Sequence, residues 1–402
     1  MTLTNTADRY GAVTKTFHWV TALLILTLIP TGWYANQLPY ATDAELAQKA
    51  WLFSLHKTLG VATFLVALLR IAWAISQPKP GLLHPERKLE SFAAETVHWL
   101  LYGALVIVPL SGWISHAAAE GFAPIWWPLG QSLPMVPKSV TVEHIFAGIH
   151  WVTTKVLIAA LLLHIAGAVK HHVIDRDATL RRMLPGRTWI APLPAQKHSS
   201  APFLAAFLVW TAAIALGSAL ASTEKDSAGD QTAVLEEVTS DWQVEEGNIR
   251  ITIRQFGSGV TGSFADWTAA ITFDETVPVG DVGTVLATIS IPSLTLGSVT
   301  QQAMGPDFFD TGNHPTATYD AVIRHASDGY EAAGDLTIRG NSVPVVLPLG
   351  LAIDGDTAEL RAITTLDRRN FAIGDNVREE ASLAFDVTVE IDLTARRDPK
   401  PE

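Results

Sequence analysis

The chain has 402 residues, a net charge of −12 and 13 Trp, and its mean hydropathy is +0.24, a composition that points towards a membrane and, by length, to two or three domains. It contains no cysteine, which excludes disulfides, thiolate metal sites, cysteine nucleophiles and thioether-linked cofactors. The two halves are electrically opposite, +6 over residues 1–221 and −18 over 222–402, and that split marks a domain boundary.

Five apolar segments, near 17–37, 51–76, 92–115, 141–170 and 201–221, are long enough to cross a hydrocarbon core of about 30 Å. Basic residues gather in alternate connections. Arg9 and Lys15 precede the first span, Lys79, Arg87 and Lys88 follow the second, and Lys170, Arg176, Arg181, Arg182, Arg187 and Lys197 follow the fourth. The other two loops hold only Lys49 and Lys138. By the positive-inside rule the N-terminus is cytoplasmic, and an odd fifth span delivers the acidic half to the opposite side, the periplasm of a bacterium.

Histidines mark the interior of the first four spans. His150 and His164 are fourteen residues apart on the fourth, which on an α-helix leaves their side chains about 40° apart in azimuth and about 21 Å apart along the axis. His18 opens the first span on the cytoplasmic side and His56 opens the second on the outer side. The depths match, His18 with His164 and His56 with His150. An ionisable side chain within a span faces a bundle interior and marks a pathway or a ligand, and two imidazole pairs at two depths suit two noncovalent b haems clamped from both sides. Arg70 lies fourteen residues beyond His56 on the same stripe, where a haem propionate is its natural partner. Gly60 and Gly167 remove side chains where a flat macrocycle would press, although close helix packing explains such glycines equally well. Two other residues compete: His98 could replace His18, and His144 lies about 120° off the stripe of His150. His171 is expected among the headgroups, and His84, His116, His172 and His198 read as solvated side chains in loops or at span ends.

The FHW opening, the H-x3-G of the second span, its arginine, VPLSGWI in the third span and LHIAGAVKHHVIDRDATLRRMLP at the end make residues 8–187 resemble the bacterial cytochrome b-561 family. That resemblance implies a four-helix membrane cytochrome with two b haems on His18, His56, His150 and His164 that exchanges electrons with ubiquinone, with superoxide oxidation outside reported for some members. The same scaffold serves as the haem subunit of hydrogenases and other dehydrogenases, so the electron donor stays open.

The fifth span has neither histidine nor charge, so a tether is its simplest use; its end at Ala219, Leu220 and Ala221 also has the small-residue pattern of a cleavable signal. Beyond an acidic linker the periodicity becomes two. Leu383, Phe385, Val387, Val389, Ile391 and Leu393 fall on one face, Ile249, Ile251 and Ile253 alternate likewise, and 284–296, 316–326, 343–353 and 357–365 follow suit. Roughly eight strands favour a closed antiparallel barrel, with a sandwich as runner-up, and such a barrel has an interior wide enough for one elongated apolar ligand.

GSFADWTAAITFD, PDFFD at 306–310 followed by HPTATY, and GDLTIRG at 334–340 make residues 241–394 similar to the YceI-like domain. The resemblance implies a lipocalin-like barrel that binds polyisoprenoids such as ubiquinone or prenyl phosphates, with Phe308, Phe309, Tyr319, Leu336 and Ile338 as pocket candidates.

The fold class is therefore multidomain: an all-α transmembrane four-helix di-haem bundle over 1–190, a loop, fifth transmembrane helix and linker over 191–240, and an all-β lipocalin-like antiparallel barrel over 241–396. Its expected setting is a bacterial inner membrane. The expected partners are the quinone pool and an isoprenoid lipid in the barrel, with no nucleic acid, and the assembly can be a homodimer. A second function competes, in which the barrel is a lipid carrier and the cytochrome an anchor or redox sensor.

Overall fold

In the computed structural model the apolar segments form five long helices, α1 (Ala12–Gln37), α2 (Asp43–Ile75), α3 (Lys88–Ala118), α4 (Val140–Lys170) and α5 (Ala201–Gly229). The structure describes every residue except Met1, Glu120, Phe122, Trp127, Leu129, 187–198, 230–234, 236–239, 327–328 and 398–402. Arg187, Lys197, His198 and most of the acidic linker thus lie outside the described residues. The chain forms two compact units, one of Met1–Gln37, Trp51–Ala118 and Pro124–Lys225, the other of Leu38–Ala50, Ala119–Ala123 and Asp226–Glu402.

Length and apolar composition make each of the five helices long enough to cross a bilayer, and the first unit is a multi-pass membrane bundle. All five contribute to one core, through Ile25 of α1, Ala67 of α2, Ala104, Leu105 and Val108 of α3, Val152 and Leu157 of α4, and Trp210 and Ala213 of α5. Leu23, Leu69, Leu162 and Leu208 instead point outward, as lipid-facing residues do. Two hydroxyls buried inside the spans are satisfied within their own helix: Thr21 donates to the Phe17 carbonyl at 2.5 Å and Thr153 to that of Ile149 at 2.7 Å. In hydrocarbon no water would take their place.

α5 does more than tether. A Cβ built on Gly148 would meet the Gly217 carbonyl, one on Gly217 would meet the backbone of Ile149, and one on Gly103 would meet the Trp210 indole. Small residues let α5 seat its backbone directly on α4 and its tryptophan on α3, the close packing that drives helix association in membranes.

The second unit holds a single ten-stranded antiparallel sheet. Its strands are β1 (Trp242–Gln255), β2 (Ser258–Phe264), β3 (Trp267–Phe273), β4 (Gly280–Ser290), β5 (Leu294–Thr295), β6 (Thr316–Ala326), β7 (Gly329–Ile338), β8 (Asn341–Asp354), β9 (Thr357–Asp367) and β10 (Asp386–Arg397). Their order is β3-β4-β6-β7-β8-β9-β10-β1-β2-β5. Two-residue turns set the register. At Phe256–Gly257 and Arg339–Gly340 both central residues have positive φ, the twist that matches the flanking strands.

The sheet curls into a half-barrel. Its first strand in the order, β3, returns against the start of β1, where the Asp241 amide donates to the Ile271 carbonyl at 2.9 Å. The ten strands exceed the roughly eight expected, and the segment 284–296 is not one strand: it stops at Ser290, turns through a 3-10 helix over Ile291–Ser293 and resumes as the two-residue β5. β2 is rich in glycine, serine and threonine and carries little of the apolar alternation that betrays longer strands.

Candidate functional site

The outer pair of histidines is built by α1, α2, α3 and α4 together. His56 on α2 and His150 on α4 face each other with ring centroids 6.4 Å apart. Each ring is held from behind by a neighbouring helix. Nδ1 of His56 lies 3.1 Å from the Leu28 carbonyl of α1, and Nδ1 of His150 lies 2.9 Å from the Val108 carbonyl of α3. A backbone carbonyl accepts only from a protonated Nδ1, so Nε2 of each ring keeps its lone pair for a metal. Gly32 of α1 and Gly112 of α3 make the room: a Cβ at Gly32 would come within 2.6 Å of His56, and one at Gly112 within 2.9 Å of His150.

The inner pair lies at the other depth. His18 on α1 and His164 on α4 have centroids 6.1 Å apart, and His98 on α3 stands 5.1 Å from His164 in an edge-on contact. Metal–imidazole nitrogen bonds are about 2.0–2.1 Å long, so a metal held between two rings keeps their centroids roughly 6 Å apart. His18–His164 and His56–His150 fit that spacing. His98–His164 is too close, and Nδ1 of His98 is already 2.7 Å from the Ala94 carbonyl. Arg70 of α2 lies within electrostatic reach of His18, His98 and His164, with its guanidinium 5.2 Å from the Tyr102 ring centroid. A Cβ at Gly60 or Gly167 would meet nothing within 4 Å, so open space adjoins both helices where a flat group needs it.

The curled sheet lines the second feature, a cavity of about 160 Å³ that opens at its mouth. Its wall is almost wholly apolar, from Ile249, Ile251 and Ile253 of β1, Val387 and Val389 of β10, and Phe371 and Ile373 of the segment between β9 and β10. Phe308, Phe309, Leu336 and Ile338 line it as well. Tyr319 does not. It pairs with Leu336 across the β6–β7 ladder, but at the filled end of the interior, packed with Ala321, Ala332 and Leu347. Its hydroxyl donates to the carbonyls of Ala332 at 2.7 Å and Val345 at 3.1 Å, and burial pushes its pKa up to about 12. Tyr319→Phe leaves two buried carbonyls short of a donor, a loss of about 1–3 kcal/mol. Hydrogen exchange should show β6 and β7 less protected.

A sequence model of the family described as prokaryotic cytochrome b561 matches residues 9–186, and one of the YceI-like domain matches residues 242–395. Cytochrome b561 homolog 2 of Escherichia coli (strain K12) is 30% identical over 190 residues, which span 46% of this chain and 95% of that protein. The chain belongs to the prokaryotic cytochrome b561 family. Behind this cytochrome domain it carries a YceI-like domain. The probable superoxide oxidase CybB of Yersinia pestis is 22% identical over 178 residues, 44% of this chain and 96% of that protein. Among solved structures, the crystal structure of Burkholderia cenocepacia BcnA aligns with a TM-score of 0.35 at 25% identity, covering 37% of this chain and 95% of that one.

His84 and His116, expected to be solvated, are partnered, as is His171, expected among the headgroups. His84 stacks on His171 with centroids 6.4 Å apart, and Nδ1 of His171 is 2.6 Å from Asp177. Glu90, His171 and Asp175 converge closely enough to hold a cation, but Lys170 already places its ammonium 2.5 Å from Glu90 and 2.8 Å from Asp175. His116 lies against the Gln131 amide. Sequence reasoning also passed over Gln255 and Gln302, both in the cavity wall. For Gln255 the signal was present: it continues the Ile249, Ile251, Ile253 alternation and puts an amide where the pattern calls for an apolar side chain.

Proposed function

We propose that the chain is a membrane electron-transfer cytochrome with two bis-histidine b haems, His56 with His150 and His18 with His164, that exchanges electrons with the ubiquinone pool and carries a periplasmic barrel for an isoprenoid or quinone. The observation that supports this best is the pair of facing imidazole couples, 6.4 and 6.1 Å between centroids, at two depths of one bundle. Haem, when bound, supplies reversible one-electron chemistry. The chain's own contribution is to fix the ligand rings and their tautomers, to leave space beside Gly60 and Gly167, and to bring a permanent positive charge, Arg70, to the inner couple. Haem held from both sides by the imidazoles of His56 and His150, or of His18 and His164, would have no open position for oxygen and would supply electron transfer. The basic residues of alternate loops support a cytoplasmic N-terminus. The apolar cavity supports the lipid assignment. A second reading, superoxide as electron donor on the outer side, is favoured by the likeness to the probable superoxide oxidase of Yersinia pestis.

Purified full-length protein should show the visible spectrum of low-spin b haem, two haems per chain by pyridine haemochrome, and reduction by a quinol. A preparation without haem would refute the assignment. Anaerobic reduction by a superoxide source at the rate seen with quinol is the outcome expected of the second reading.

Arg70→Leu removes the fixed charge beside one couple only. Redox titration should show one midpoint shifted and the other nearly unchanged. Identical potentials in variant and parent would remove Arg70 from the site.

A further inference from the structure

The cavity in the sheet has two polar flaws in an otherwise apolar wall. Gln255 is 4% exposed and its Oε1 is buried without a hydrogen-bond partner; Nε2 of Gln302, from the short helix α6 (Thr300–Met304), is buried and unpartnered too. Buried polar atoms in folded proteins are nearly always paired, so an acceptor and a donor left open in one cavity call for a ligand that supplies the converse. Charge has no place there. Among the described residues the only ionisable side chain in the wall is Arg368, and all its donors are spent on backbone: Nε on Ala384, Nη1 on Ile373 and Gly374, and Nη2 on Val377 and Leu383, at 2.6–3.2 Å. A phosphate entering this cavity would lose its hydration with no free cation to meet it.

We infer that the cavity selects an isoprenoid with a neutral, hydroxyl-bearing head, the quinol form of a prenyl quinone, with Gln255 accepting from that head and Gln302 donating to it. The inference rests on the reading above that the cavity takes an isoprenoid chain, and goes further in naming the head and its oxidation state. A quinol head carries two hydroxyls, each able to donate and to accept, and so offers a converse partner to each amide. A quinone carbonyl only accepts; it serves Gln302 and leaves the Gln255 oxygen unpaired. A prenyl diphosphate offers acceptors and charge, which Arg368 cannot answer.

The test uses delipidated full-length protein in detergent micelles. It is offered a prenyl quinol under anaerobic reduction, the matching quinone, and a prenyl alcohol, diphosphate and hydrocarbon of equal tail length, and retained lipid is counted by mass spectrometry. The expected order is quinol, then alcohol with its single hydroxyl, then quinone, then hydrocarbon and diphosphate, with about tenfold between quinol and hydrocarbon, as one well-made buried hydrogen bond allows. Gln255→Met and Gln302→Leu, which remove the amides and keep the volume, should each lower quinol retention severalfold and leave hydrocarbon retention unchanged. That unchanged arm shows the cavity intact, and because both residues lie in the sheet domain the difference is independent of quinone bound by the helices. Diphosphate held as tightly as quinol, alcohol held more tightly than quinol, or a quinol preference that survives both substitutions would overturn the inference. Retention of hydrocarbon without any preference of head sinks this inference alone, whereas failure to retain any of the five lipids sinks the isoprenoid reading itself.

Discussion

His56→Ala should lose about half of the haem. The outer imidazole couple has no spare member: among the described residues the ring facing His56 is His150, and the other candidates lie elsewhere, His116 against Gln131 and His98 beside His164 at the inner depth. Without His56 one of the two imidazoles that would hold the outer haem is missing, while His18 and His164 are untouched. Pyridine haemochrome should fall from two haems per chain to one, and the remaining signal should titrate as a single component. His150→Ala should give the same result. At the inner depth His18→Ala should remove the other haem and His98→Ala should keep it, because 5.1 Å between centroids is too short to hold a metal. Two haems retained in His56→Ala would break the pairing, and haem lost in His98→Ala but kept in His18→Ala would exchange the inner ligand.

Arg368→Leu should open one end of the sheet domain. Arg368 is 3% exposed, and its guanidinium ties together carbonyls of Ile373, Gly374, Val377, Leu383 and Ala384, the irregular segment between β9 and β10. This segment has little regular hydrogen bonding of its own, so one cation substitutes for a ladder. Burial pulls the Arg368 pKa down from its ordinary value, yet guanidinium pKa values start so high that the charge persists. Replacing it with leucine leaves five buried carbonyls without that donor, and losing one side of such a network costs about 3–5 kcal/mol. Hydrogen exchange over 368–385 should rise to near the unfolded rate, and lipid retention should fall with it, since Phe371, Ile373 and Leu383 form part of the cavity wall. Arg368→Lys should not rescue, for three donors on a point charge cannot span five acceptors fixed in a plane. Protection unchanged in either variant would show that the segment holds itself.

The helices were legible because each needs a long unbroken apolar run, and the histidine depths because fourteen residues is nearly a whole number of turns; the structure sets His18 beside His164 and His56 beside His150. What the sequence did not disclose is mostly contact between elements distant in the chain. Gly32 and Gly112 read as ordinary helix glycines, and only packing shows that they clear the space for His56 and His150. α5 carries no motif, yet its Gly217 and Trp210 fit glycines 69 and 107 residues earlier, Gly148 and Gly103. In the sheet, alternation identified the inward faces but could not say where the interior is filled and where it is hollow. Tyr319 and Leu336 share a face and a cross-strand pair, yet only Leu336 borders the cavity, because Tyr319 finds two backbone acceptors and small neighbours, Ala321 and Ala332, to pack against.

The slots at Gly32 and Gly112 bear on the order in which the protein is assembled. Each outer ring is boxed by a backbone carbonyl and a missing side chain on the adjoining helix, and these restraints come from the polypeptide alone. The rings are therefore aimed before any iron arrives. On the haem reading proposed above, a bundle made this way would insert and close first and take up its cofactor afterwards, without the refolding that metal-nucleated domains undergo. On that same reading, these restraints would keep the ring positions fixed as the charge on the metal changes, so that little nuclear motion would accompany each electron.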